Sequence, residues 1–191
     1  MNTGRIIFSQ LMDVVPKYEF RNIVDDHKGN YRARSFTCWD QLLCLCFGQL
    51  TFRQSLRDLT STLNALGSQR YHMGIKNNVS RSTLADANAS RPWQIYHQLA
   101  MALIKQARQL YREDSDLEAA AESVYALDST TIDLCLSLFP WAEFRSRKGA
   151  IKLHTLMELE GAIPTFIHIS EGRVHDVNVL KPKFGQQSVL T

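Results

Sequence analysis

The chain lacks any apolar run that approaches a membrane span, which needs about 20 predominantly apolar residues. Residues 1–20 also lack the apolar block of a secretory signal peptide. The charged fraction of 21% and the hydrophobic fraction of 45% argue against wholesale disorder. We therefore expect a cytoplasmic protein whose 191 residues form one domain or two small ones.

Several chemical signatures are also missing from the sequence. It contains no Gly-rich nucleotide loop, no nucleophile elbow and no zinc signature. Cys44 and Cys46 lie two residues apart within an apolar run, which is poor spacing for zinc. In a cytoplasmic protein all four cysteines are expected to be buried free thiols, namely Cys38, Cys44, Cys46 and Cys135.

Charge is distributed unevenly along the chain. Residues 1–112 contain 15 Lys and Arg against 7 Asp and Glu, a net charge of +8, whereas residues 113–191 contain 7 against 12, a net charge of −5. A basic first part joined to an acidic second part favours polyanion binding by the first part. Solvated surface charges without a binding role are the alternative interpretation.

Apolar residues at helical spacing predict that residues 1–115 form an all-α domain. Pro16 is expected to end the first helix, and Thr37 is expected to cap an apolar central helix. Ser55 is a candidate N-cap for the following helix, which Gly67 ends, and Ser80 is a candidate N-cap for the segment after it. The acidic segment that follows the last predicted helix is the natural boundary to a second domain at residues 121–191.

Two polar segments of the first part have the composition of nucleic-acid contacts. Residues 31–36 form a basic and aromatic connector that is suited to lie along phosphates, or a plain loop. Residues 80–91 are small and polar around Leu84, a balance suited to a helix in a DNA groove, although an ordinary surface helix has the same composition. The candidate DNA contacts are Arg81, Ser82, Asn88, Arg53, Arg57 and Arg34.

Three strand-like runs predict a small antiparallel meander in the second part. The first begins at Val124 and is expected to finish at Asp128, and the others cover residues 151–159 and 163–170. A carboxylate at the end of a buried strand is costly to desolvate unless a cation or donor meets it, so Asp128 is a candidate metal ligand. Capping a turn through the adjacent Ser and Thr residues is an equally good interpretation.

Other polar residues of the second part have simpler interpretations. His154 and His168 lie on adjacent predicted strands and are expected to face each other as structural residues, because a metal pair would require a third ligand. Asp176 is expected to cap the start of a helix, and metal ligation is the alternative interpretation. A small metal-dependent nuclease that uses Asp128 and Asp176, with His175 or Glu158, is a further possibility.

Motifs in a fixed order resemble bacterial insertion-sequence transposases of the DDE class, in the family named after insertion sequence 4. The helical part contributes Lys17-Tyr-Glu-Phe20, Ser35-Phe-Thr-Cys-Trp-Asp-Gln41, Ser55-Leu-Arg-Asp58 and Val79-Ser-Arg-Ser-Thr-Leu-Ala-Asp-Ala-Asn88. The second part contributes Leu127-Asp128-Ser-Thr130, Lys148-Gly-Ala-Ile-Lys-Leu-His154, Ile163-Pro164 and Gly172-Arg-Val-His-Asp176. The resemblance extends over nearly the whole chain.

This resemblance implies an α+β protein with a helical DNA-binding domain and a ribonuclease H-like catalytic domain. In the family, two Asp and one Glu hold two divalent ions, Mg²⁺ or Mn²⁺, and Asp128 matches the first Asp. The family's Asp-x-Gly-Tyr context and its later Glu motif are absent here, and Asp176 is not taken for the second Asp. We therefore expect an incomplete catalytic domain, with three antiparallel strands and the start of a helix.

The resemblance implies a truncated, nucleoid-associated transposase that is inactive alone. Its intact relative binds terminal inverted repeats in double-stranded DNA, cleaves them and transfers the strands. The alternative is a DNA-binding module or repressor that acts through residues 1–112, with intact transposase or a second copy of itself as a possible partner.

Overall fold

The computed structural model describes residues 6–114, 125–134, 143–145, 148–158, 163–175 and 178. The chain divides into two compact units, Met1–Leu99 and Ala100–Thr191, and the division falls inside the last helix. The first unit is helical and the second contains an antiparallel sheet, so the predicted α+β class is confirmed. No helix in the described ranges is long and apolar enough to cross a membrane.

Seven α-helices and one short 3₁₀ turn, Met12–Val14, occur in residues 6–114. The helices are α1 Ile7–Leu11, α2 Lys17–Asp26, α3 Cys38–Leu50, α4 Leu56–Ala65, α5 Gln69–His72, α6 Arg81–Ser90 and α7 Gln94–Asp114.

Side-chain caps fix the starts of three helices, as the sequence predicts. Thr37 and Asp40 form a capping box at α3, in which the Thr37 backbone N–H donates to Asp40 Oδ2 at 2.7 Å. Ser55 accepts from the Asp58 N–H at 3.1 Å, and Ser80 accepts from the Thr83 N–H at 3.0 Å. Each cap satisfies an amide that the helix leaves without a partner, which defines where α3, α4 and α6 begin.

The core of the first unit forms where α3, α4 and α6 pack against one another. Its fully buried side chains include Leu43, Leu63 and Leu84, one from each helix. Gly48 permits the close approach of α3 and α4, because a Cβ there would lie 2.4 Å from Leu59 Cδ1. Leu84 is the apolar anchor that the sequence predicts for α6.

The entry to α6 is held by Asn64 of α4. Its Nδ2 donates to the Val79 carbonyl at 2.9 Å, and its Oδ1 accepts from the Val79 N–H at 3.1 Å. Arg70 Nη1 donates to the same Oδ1 at 3.2 Å. One amide side chain therefore satisfies both backbone groups of the residue that precedes the Ser80 cap, which sets the position of α6.

The sheet of the second unit is built around its central strand. Its strands are β1 Tyr125–Leu134, β2 Glu143–Arg145, β3 Lys148–Glu158 and β4 Ile163–Glu171. All three other strands pair with β3 in antiparallel orientation. The predicted three-stranded meander is confirmed in β1, β3 and β4, while the three-residue β2 was not predicted.

The predicted end of the first strand is wrong. Asp128 is the fourth residue of β1, which continues to Leu134, and its side chain is exposed. Polar residues 129–131 extend the strand because they pair in register with His154, Leu153 and Lys152 of β3. Tertiary pairing has overridden a local turn signal, and the desolvation argument for a metal at Asp128 does not apply.

The described cysteines are free thiols, as expected for a protein without disulfides. Cys38 and Cys44 are buried and Cys46 is half-buried, while Cys135 lies outside the described residues. Burial, together with a smaller contribution from the Asp40 carboxylate, raises the pKa of the Cys44 thiol to about 12. Burial also raises the pKa of Cys38, with Arg91 acting in the opposite direction. These thiols are therefore protonated at neutral pH and serve as small apolar side chains.

Gly29 provides a direct test of packing in the first unit. A Cβ at this position would lie 2.4 Å from Ile95 Cδ1 and 2.8 Å from Cys38 Sγ, and both of these residues are fully buried. We expect Gly29→Ala to lower the free energy of unfolding by about 1–3 kcal/mol, as overpacked cores do. Urea denaturation of the full chain measures this change.

The control removes the obstructing methyl group. Ile95→Val deletes Cδ1 and alone costs about 0.5–1.5 kcal/mol. Combined with Gly29→Ala, it is expected to destabilise by less than the sum of the two single changes, because the new Cβ occupies the vacated space. Additive effects would show that the methyl–methyl overlap is not the cause.

Candidate functional site

A groove of about 890 Å³ lies between the loop of residues 27–36 and α6. The loop supplies one wall, the exposed side of α6 supplies the other, and Arg91 and Pro92 close one end. Its lining residues are His27, Lys28, Gly29, Tyr31, Arg32, Ala33, Arg34, Ser35, Phe36, Thr83, Asp86, Ala87, Ser90, Arg91 and Pro92. We call this feature the loop–helix groove. It brings together the two segments that the sequence predicts to contact nucleic acid.

The two walls differ in chemistry. The loop wall presents the cationic side chains of Lys28, Arg32 and Arg34, all exposed. The helix wall presents the small polar residues Thr83 and Ser90 and one carboxylate, Asp86. With Arg91, the groove contains four cationic side chains and one anionic side chain. Its summed field therefore attracts anions.

The backbone of the loop is held in an unusual conformation. Lys28 and Arg32 have φ values of 51° and 59°, in the left-handed region that non-glycine residues seldom adopt. Hydrogen bonds hold this path, including one from the Gly29 N–H to the Val24 carbonyl at 2.8 Å and one from the Cys38 N–H to Asn30 Oδ1 at 2.8 Å. The resulting path turns the Lys28 and Arg32 side chains toward the groove.

An exposed aromatic ring accompanies these cations. Tyr31 is 72% exposed, and the Arg32 guanidinium lies 5.1 Å from the centre of its ring. A guanidinium that stacks on an aromatic face keeps its N–H donors available at the edge. The pair is therefore a planar, cationic surface suited to contact a phosphate-sugar backbone.

Arg91 joins the two walls at the closed end of the groove. Its Nη1 donates to the Thr37 carbonyl and to Gln41 Oε1, both at 2.8 Å, and its Nη2 donates to the Phe36 carbonyl. The guanidinium also lies over the Phe36 ring, 5.4 Å from its centre. Because Phe36 ends the loop and Arg91 immediately follows α6, these bonds fix the spacing of the walls.

The network extends inward from Arg91. Gln41 is 2% exposed, and its Nε2 donates to Asn88 Oδ1 of α6 at 2.6 Å. The Tyr96 hydroxyl is also near Arg91. Burial raises the pKa of Tyr96 and the neighbouring Cys38 raises it further, whereas Arg91 lowers it.

The Gln41 amide is buried, and both its oxygen and its nitrogen are hydrogen-bonded. It therefore makes the orientation of α6 against α3 specific.

The predicted DNA contacts of α6 do not line the groove. Arg81 and Ser82 are exposed in its first turn, and the Ser82 hydroxyl lies 2.9 Å from Ser80 Oγ. Asn88 projects toward α3, where it accepts the bond from Gln41. Of the six predicted contacts, only Arg34 is a lining residue.

The two predicted contacts near α4 also lie away from the groove lining. Arg53 donates to the Thr51 carbonyl at 3.0 Å and lies 3.5 Å from Asp58 Oδ1, while Arg57 is exposed. Sequence reasoning did not single out Lys28, Arg32, Asp86 and Ser90. The spacing of residues 83, 86 and 90 places them on one helical face and was the available signal.

Asp128 lies on the opposite face of the sheet from Glu158. Its partner across β3 is Thr155, which pairs in turn with Ile167 of β4, so neither neighbour supplies an anionic oxygen. Thr155 and Glu158 are three positions apart on β3, so their side chains point to opposite faces, and Glu158 Oε2 lies 3.4 Å from Arg108 Nη2. Within the described ranges no group of three His, Cys, Asp or Glu residues is placed to hold a metal. The described neighbours of Asp128 therefore do not form a two-metal site.

The predicted histidine pair is confirmed. His154 and His168 are cross-strand partners whose ring centres lie 6.1 Å apart. His154 is fully buried, its Nε2 lies 2.7 Å from Ser170 Oγ, and the His168 ring stacks on Phe166. His175 is exposed, and Asp176 lies outside the described residues.

Comparison with known proteins identifies one domain. A family profile described as a domain of unknown function, DUF4372, matches residues 3–76. No curated protein and no solved structure matches the chain. The matched segment spans α1 to α5 and therefore includes the loop wall of the groove, whereas α6 follows it.

Proposed function

We propose that this chain functions in DNA transposition as a relative of DDE-class transposases, and that its helical unit binds double-stranded DNA through the loop–helix groove. The observation that supports this most strongly is the juxtaposition of a cationic loop with a small-residued polar helix. All described residues that line the groove lie between residues 27 and 92, so the proposed DNA-binding role is assigned to the helical unit.

The loop wall would provide the electrostatic attraction for DNA. DNA carries about one negative charge per 1.7 Å of helix axis, and each cation that neutralises a phosphate releases a counterion. Lys28, Arg32 and Arg34 are exposed, and no described carboxylate forms an ion pair with them. Their charge is therefore available to a phosphate backbone without first breaking an internal ion pair.

The dimensions of the helix wall fit the major groove of DNA. α6 has ten residues and is therefore about 15 Å long. The major groove of B-form DNA, roughly 12 Å wide, admits one α-helix. In the proposed complex the exposed face of α6 faces base edges while the loop follows the adjacent phosphates, the division of roles typical of DNA-binding proteins.

For the second unit we propose that the sheet belongs to a ribonuclease H-like catalytic domain. Asp128 lies on its first strand and corresponds by resemblance to the first of three catalytic carboxylates. A two-metal site holds its ions roughly 4 Å apart with several carboxylates, and Mg²⁺ or Mn²⁺ would supply the activation of water there. One carboxylate beside Thr155 and Ile167 does not provide such a site, so we derive no catalytic step for this chain.

A repressor or other DNA-binding module is the second proposal, because the groove belongs wholly to the helical unit. Such a module would occupy the terminal repeats without cutting them. It would act on the intact transposase by competition for DNA or by association with it.

The first test of the proposal is salt-dependent DNA binding. Duplexes with a randomised centre are enriched on the full chain, and the affinity for the selected duplex is then measured against salt concentration. Arg34→Ala is expected to weaken binding and to reduce the slope of log affinity against log salt by about 1, as expected for one lost phosphate contact.

Arg21→Ala is the matched control, because Arg21 is an exposed arginine of α2 that does not line the groove. It is expected to leave the slope unchanged. An equal effect of the two substitutions would assign binding to net charge and not to the groove. A wild-type chain that shows no salt-dependent binding would contradict the proposal.

The second test concerns activity. The purified 191-residue chain is expected to leave a supercoiled plasmid uncut in Mg²⁺ or Mn²⁺, since the sequence matches only one of the family's three carboxylates. Asp128→Ala serves as the matched comparison and is expected to behave identically. Metal-dependent cutting that Asp128→Ala abolishes would contradict this expectation and support a nuclease.

A further inference from the structure

One carboxylate stands within the cationic loop–helix groove. Among the described residues, Asp86 is the only acidic one that lines it, opposite a loop wall with three cations. No described side chain lies within ion-pair or hydrogen-bond distance of its carboxylate, although Lys28, Arg32, Arg34 and Arg91 line the same groove. We propose that Asp86 is a specificity-determining residue that recognises cytosine in the major groove. This inference rests on the proposed DNA-binding function.

The neighbouring polar groups of the helix wall are already engaged. Ser90 Oγ donates to the Asp86 backbone carbonyl at 2.7 Å, and Thr83 Oγ1 lies 2.8 Å from Ser80 Oγ at the helix cap. Asp86 lies between them in sequence and on the same face of α6. The Asp86 carboxylate is therefore the polar group on this wall that is most available to a ligand.

A carboxylate in a DNA-binding groove cannot favour a phosphate contact. Two like charges 4 Å apart repel by about 1 kcal/mol in water and by more near a protein surface. Asp86 is therefore accommodated only where the DNA presents donors, which means a base edge. On that account the loop cations face phosphates and Asp86 faces bases.

The pattern of the major groove then selects one base. Guanine presents two acceptors and thymine one, which repel a carboxylate. Adenine presents a donor beside the N7 acceptor, whereas cytosine presents the N4 amino donor without an adjacent acceptor. A carboxylate acceptor on α6 is therefore most compatible with cytosine.

Selection of binding sites tests this inference. The full chain and its Asp86→Ala and Asp86→Asn variants are each used to enrich duplexes from the same randomised pool. The wild-type chain is expected to require cytosine at one position, by roughly tenfold over other bases. Asp86→Ala is expected to lose that preference and to retain the others, and Asp86→Asn is expected to shift it toward adenine, with which Asn pairs in a bidentate manner.

Asp26→Asn, at an exposed carboxylate of α2 outside the groove, is the matched control and is expected to keep the wild-type preference. Urea denaturation confirms that each variant folds. Tighter binding of Asp86→Ala to all duplexes alike, with the base preference intact, would make Asp86 a repulsive charge only and overturn the inference. Failure of the wild-type chain to enrich any duplex would overturn the proposed DNA-binding function as well. Enrichment by the wild-type chain therefore distinguishes failure of the Asp86 inference from failure of the proposed function.

Discussion

The organisation of the helical unit depends on the Arg91 guanidinium. This side chain follows α6 directly, and it donates to the carbonyls of Phe36 and Thr37 and to the buried amide of Gln41. Its acceptors belong to the end of the loop and the start of α3. A charged donor that meets several fixed acceptors is stronger and more directional than a neutral hydrogen bond. The groove therefore has a defined width at this end.

Other contacts constrain the remaining parts of the groove. Asn64 holds the backbone of Val79 from both sides, which places the start of α6. Gly29 allows the loop to pass against Ile95 and Cys38 without a side chain between them. The cationic wall and the helix wall are thus each attached to the same apolar core. A groove with fixed walls loses little conformational entropy on binding, which favours affinity.

Local patterns predicted the helical unit well. Thr37, Ser55 and Ser80 cap helices where the sequence places them, because an N-cap depends on residues only three positions apart. The end of β1 was predicted wrongly at Asp128, because pairing with β3 decides how far that strand continues. The groove was predicted only in its components, since the 54-residue separation of Arg91 and Thr37 has no local signature.

The same difference between local patterns and long-range packing explains which candidate DNA contacts the sequence predicted. Composition identified the right segments, but the face that α6 presents depends on how Leu84 and Asn88 seat it against α3. Arg34 was identified because it belongs to an obviously basic run. Asp86 was overlooked because an acidic residue in a basic groove has meaning only once its surroundings are known.

The most direct test of this account is a double-mutant cycle between Arg91 and Gln41, in which urea unfolding of the full chain measures the stability of each variant. If their bond fixes α6 against α3, Arg91→Ala and Gln41→Ala will each destabilise, and the coupling energy between them will be about 1–2 kcal/mol. Effects that add within about 0.5 kcal/mol would show that the two side chains act independently, and would contradict the role assigned to Arg91.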